Sequence, residues 1–97
     1  MKLEKYDIVG YVNQPKRTVS GYAANAPKSD GSGDVKFMVR KIKSDYWVAD
    51  HYRSGCAVSA FAGSSRKAVI ENIKSLFAEY EERILRAEKT LEAINNA

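Results

Sequence analysis

From Ser64 to about Asn95 the chain contains neither glycine nor proline, and Ala, Glu, Leu, Lys and Arg dominate the run. These are good helix formers, so the last third reads as a single helix with Ser64 or Ser65 as its N-cap. Ile70, Ile73, Phe77, Tyr80, Ile84, Ala87, Leu91 and Ile94 follow one another at intervals of three and four. That spacing is a heptad-like seam, widened near its start by Val69 and Leu76 as packing on a sheet requires. Length then matters. About 32 helical residues span roughly 48 Å, whereas a strand of about seven spans roughly 23 Å. A sheet built from the rest of the chain covers only about half of such a helix. The remaining seam, through Tyr80, Ile84, Ala87, Leu91 and Ile94, calls for a second surface, and a second copy of the chain is the simplest.

The part before the helix reads as short strands. Residues 6–13 and 17–24 are rich in β-branched and aromatic side chains and are separated by the turn signal Asn13-Gln14-Pro15-Lys16. Gly10-Tyr11 and Gly21-Tyr22 place a glycine in each stretch, where it marks a bulge or a close backbone approach. Residues 25–34 read as a mobile loop. Val35, Phe37 and Val39 then alternate with Lys36, Met38 and Arg40, a half-buried strand with the first set in the core. A second hairpin follows, Tyr46–His51 and Cys56–Phe61 around Tyr52-Arg53-Ser54-Gly55. Pairing His51 with Cys56 puts Trp47, Ala49, His51, Cys56, Val58 and Ala60 on the face under the helix. Tyr46, Val48, Asp50, Ala57, Ser59 and Phe61 then face solvent or a partner. The expected fold is α+β: an antiparallel β-meander of about four to five strands (residues 5–63) packed against one long C-terminal helix (64–95), a single domain over 1–97.

Composition removes several classes. Ninety-seven residues, 44% of them hydrophobic, bury one small core and not the layers of a cofactor-binding enzyme. A single cysteine excludes an internal disulfide framework and fits a reducing compartment. Met1–Asp7 lacks an apolar run and no stretch is apolar enough to span a bilayer, so the expected location is cytoplasmic, with no membrane partner. Cys56 and His51 are the only pair of catalytic types. The adjacent Asp50 points to the opposite strand face, so the pair has no third member to orient the histidine, and two ligands do not make a zinc site. No catalytic residue, metal or cofactor is expected.

Charge singles out two regions. Residues 1–63 carry ten Lys/Arg against six Asp/Glu, whereas 64–97 carry six of each, so the whole net charge of +4 belongs to the strand-rich part. Lys36, Arg40, Lys41 and Lys43 fall within eight residues that contain no acid. With Tyr46 and Phe61 beside them on an open sheet face, they suit phosphates and stacked bases. Ser64, Ser65, Arg66 and Lys67 place hydroxyls and cations at the helix start, where an anion is favoured. Aromatic and arginine side chains are preferred interface anchors, which makes Tyr46, Tyr52, Arg53 and Phe61 the candidate partner surface.

Two resemblances bear on function. Ser65-Arg66-Lys67-Ala68 after a small-residue turn resembles the start of the last helix in double-stranded RNA-binding domains, although strands stand where that family has its first helix. The run from Tyr46-Trp47-Val48-Ala49-Asp50-His51 through Ser54-Gly55 to Ser65-Arg66-Lys67-Ala68-Val69-Ile70 resembles the hairpin-then-helix of small phage and prophage accessory proteins, anti-CRISPR proteins among them. The second resemblance implies a non-enzymatic inhibitor that blocks a host defence nucleoprotein by binding it. Two alternatives stand beside it: a module binding RNA or DNA, and a sponge for a phosphorylated nucleotide signal.

Overall fold

The structure, a computed structural model, describes residues 2–9 and 16–95. The residues of the first turn signal, Asn13 to Pro15, and the Gly10-Tyr11 pair lie outside them. Four strands, β1 (Glu4–Ile8), β2 (Arg17–Pro27), β3 (Asp34–Lys43) and β4 (Tyr46–His51), form an antiparallel sheet in the order β1-β2-β3-β4. A short 3-10 turn at Ser59–Phe61 leads into the helix α1 (Arg66–Asn95). The fold is α+β, a meander packed against one long C-terminal helix, as the residue pattern implies.

β2 serves two neighbours in succession. Its first half, up to Gly21, pairs with β1, and its second half, from Tyr22, pairs with β3. The change of partner falls at Gly21 because a side chain does not fit there. A Cβ at that position would lie 2.7 Å from the Val39 carbonyl oxygen and 3.1 Å from the Tyr6 ring. β1 thereby comes to lie against the sheet face that looks away from the helix, and Tyr6 and Ile8 bury Met38 between them, with Val19 and Ala23 alongside. The main core is on the other face. There Val35, Phe37, Val39 and Ala49 pack against Phe61 and against Val69, Ile73, Phe77 and Ile84 of α1. Phe37 meets both Phe61 and Phe77 edge-on, with ring centres 5.5 and 6.0 Å apart, a favourable aromatic geometry.

Three expectations are corrected. The loop is shorter than 25–34: β2 runs to Pro27, β3 starts at Asp34, and hydrogen bonds from Lys28 N to Gly33 O and from Ser29 N to Glu81 Oε2 close and dock the turn between them. The register of the second hairpin holds for His51 with Cys56 and Ala49 with Val58, then breaks. At Ser59 the chain turns through the 3-10 segment, so Trp47 pairs with Gly63 instead of Ala60. That turn drives Phe61 into the core with no exposed surface. Finally, the face carrying Val48 and Asp50 does not meet solvent: β1 covers it, leaving them 8% and 1% exposed.

Candidate functional site

Fold geometry sorts the basic residues into two groups. Lys36 and Arg40 lie on the face that β1 covers, so the open basic face expected there does not exist. Arg40 Nε donates to Asp50 Oδ2 at 2.7 Å, and the Tyr6 hydroxyl donates to the same oxygen at 2.6 Å. A buried carboxylate is thus matched by one cation and one hydroxyl. Burial first, then the hydrogen bond to Asp50 and its charge, push the Tyr6 phenol far above its ordinary range. Lys36 sits 4.2 Å from the centre of the Tyr52 ring and 3.6 Å from Glu4. Both cations are committed to the fold.

The second group gathers at one end of the molecule. Lys41 pairs with Trp47 across β3 and β4, and Trp47 exchanges two backbone hydrogen bonds with Gly63, at 2.8 and 3.0 Å. Lys41, Trp47 and Gly63 therefore stand in one row across three adjacent segments, and the start of α1 lies beside the tip of the β3–β4 hairpin. Lys41 and Lys43 are exposed on that tip, together with Ile42 and Tyr46, which are 45% and 41% exposed. Asp45 adopts the left-handed conformation that closes the turn. On the helix side, Ser65 Oγ accepts from Ala68 N at 3.1 Å and is the N-cap, while Ser64 and Lys67 face solvent. The Arg66 guanidinium stacks over the Tyr22 ring at 4.5 Å. Lys41, Lys43 and Lys67 make no ion pair among the described residues.

The proposed partner residues do not form one surface. Phe61 is buried, and Tyr46 and Tyr52 stand at opposite ends of β4, roughly 20 Å apart at the rise of a strand. Arg53 is turned towards α1, 3.1 Å from Glu92 and 3.6 Å from Glu88. Of the helix seam, Ile84 belongs to the core, Tyr80 meets Phe61 edge-on at 5.8 Å and Leu91 is half-buried. Ala87 is exposed, and so is Ile94, at 65%.

His51 does have a third group, though it comes from the helix and not from Asp50. His51 Nε2 lies 2.8 Å from Glu88 Oε1, and His51 Nδ1 lies 2.8 Å from Ser54 Oγ. A carboxylate accepts only, so Nε2 carries a proton and donates it to Glu88, while Nδ1 and the serine hydroxyl share the second hydrogen bond. Ser54 Oγ also accepts from Cys56 N at 3.2 Å, while the Cys56 thiol is directed at the Ser54 carbonyl, 3.9 Å away, and not at the imidazole. These bonds clip the turn after β4 to itself and to α1. The signal for Glu88 was present in the sequence: it stands four residues after Ile84, on the core-facing side of the helix. Among the described residues no group of three or more His, Cys, Asp or Glu is placed to hold a metal ion, and no helix is long and apolar enough to cross a membrane.

Comparison of the chain with protein-family models, with curated proteins and with solved structures finds no match.

Proposed function

We propose that this chain is a small non-enzymatic binding protein, of the kind that blocks a host defence nucleoprotein, and that it docks through its basic end. The observation that carries the docking surface is the row Lys41–Trp47–Gly63, which sets the hairpin tip beside the helix start. Lys41, Lys43 and Lys67 there supply exposed positive charge, the α1 N-terminus adds the positive end of its dipole, and Ile42 and Tyr46 add apolar and aromatic contact area. Cations around an exposed ring suit a phosphate backbone with accessible bases. The inhibitor class is supported by the resemblance of residues 46–70 to small phage accessory proteins, and the spending of His51, Ser54 and Glu88 on each other fits a binding role.

Charge reversal tests the surface. Lys41→Glu, Lys43→Glu and Lys67→Glu together are expected to abolish binding of labelled single-stranded and duplex oligonucleotides measured by fluorescence anisotropy. Lys36→Glu, on the β1-covered face, is expected to leave most of it. Equal binding by wild type and triple variant, or none by wild type even at low salt, would refute a nucleic-acid contact at this end.

A further inference from the structure

Arg66 is held in place without being used by the fold. Its guanidinium carbon stands 4.5 Å from the centre of the Tyr22 ring, and both residues are half-buried. Arg40, the other half-buried arginine, gives its Nε to Asp50 at 2.7 Å. Arg53 is paired with Glu88 and Glu92, and Arg86 with Glu82. Arg66 makes no side-chain hydrogen bond or ion pair among the described residues. No buried side-chain nitrogen among them lacks a partner, so the N–H groups of Arg66 reach solvent. Strand register sets where this happens. Tyr22 faces Val39 across β2 and β3, and Lys41 follows Val39 by two residues, on the same face of the sheet. Lys41 in turn faces Trp47, which is bridged to Gly63 just before α1. Tyr22, Lys41 and Trp47 thus stand on one face of three successive strands, and Arg66 reaches over the first of them from the helix start.

We propose that the Arg66–Tyr22 pair is a seat for one unstacked nucleobase, which makes the ligand of the basic end a single strand. Guanidinium planes, like aromatic rings, are surfaces on which the bases of single strands stack. The Tyr22 ring fixes a long side chain in advance, so a ligand is spared the cost of ordering it. In a duplex the bases are stacked on one another, and only a strand with unpaired bases offers one to this seat. Lys41, on the same face, and Lys67, next along the helix, attract its phosphates. Stacking adds affinity without neutralising a further phosphate, so the salt dependence stays with the lysines. The seat rests on nucleic-acid contact at the basic end and adds to it the kind of strand bound.

Fluorescence anisotropy with a labelled single strand, its duplex, and the same strand carrying abasic residues, which keep every phosphate, tests the seat. The wild-type chain is expected to bind the intact strand about tenfold more tightly than the abasic one, and more tightly than the duplex despite its greater charge. Arg66→Lys keeps the charge and loses the plane, so it is expected to lose most of that preference at an unchanged salt slope. Arg86→Lys, the same change on the distal part of α1, keeps it. Equal binding of intact and abasic strands by the wild type overturns the seat and leaves lysine-dependent docking in place. So does a preference for the duplex, or a preference for the intact strand that survives Arg66→Lys. No binding of any oligonucleotide overturns both.

Discussion

Gly21 is where one hydrogen atom in place of a side chain decides the topology. Adding a Cβ puts it 2.7 Å from the Val39 carbonyl, a backbone atom that cannot swing aside. Gly21→Ala must therefore open β2 from β3 or lift β1 off Met38. Overpacking of this kind costs typically about 1–3 kcal/mol, and the urea midpoint is expected to fall accordingly. Ala23→Gly, at a half-buried site in the same strand, should lose less. Tyr6 makes a second residue-scale prediction. Its folded value lies above the unfolded one, near 10, so the folded state holds its proton more tightly. The stability from this group is complete below about pH 10 and drains away as pH rises above it. In an alkaline titration followed by phenolate absorbance, a last component is expected to appear together with unfolding, and Tyr6→Phe is expected to remove it.

At the scale of elements, the helix is held along most of its length, from Val69 to Glu92, by two different means. Its first turns are held by the aromatic and aliphatic core around Phe37, Phe61, Ile73 and Phe77. Further on, contact with the turn after β4 is polar: Glu88 receives His51, and Arg53 reaches both Glu88 and Glu92. Removing the carboxylate leaves a buried imidazole N–H without a partner, which costs about 1–3 kcal/mol. Glu88→Ala is therefore expected to destabilise by that amount, whereas Glu88→Gln, which still presents a carbonyl oxygen to Nε2, should retain most of the stability. Equal losses in the two variants would show that the hydrogen bond is not what matters. This tie also explains why more of the helix is covered than strand length alone allows: the sheet ends at His51, but the turn beyond it carries cover out to Glu92.

For the molecule as a whole, what was legible in the sequence is what depends on local periodicity. The helix follows from its unbroken run of helix formers, β3 from the alternation of Val35, Phe37 and Val39 with Lys36, Met38 and Arg40, and the tight pairing of His51 with Cys56 from the four residues between them. What was not legible depends on a distant segment. Lys36 and Arg40 read as an open basic face because nothing local reveals that β1 lies across it, although Met38 and Val48, apolar residues on that outer face, were a signal. Phe61 read as exposed because strand alternation was carried through Ser59, where the chain turns. Of the candidate binding residues, those at a hairpin tip or helix end (Lys41, Lys43, Tyr46, Ser64, Lys67) stayed exposed, since such positions have little chain near enough to cover them. The basic end is therefore a smaller and better-defined surface than the charge count implies.

The salt dependence of oligonucleotide binding measures that surface most directly. Each phosphate neutralised contributes roughly −0.7 to −0.9 to the slope of log affinity against log salt. Three lysines at the basic end predict a slope of about −2 to −3 for the wild-type chain, nearly lost when Lys41, Lys43 and Lys67 are reversed. An affinity flat with salt, or a slope that the triple reversal leaves unchanged, would contradict docking through this end.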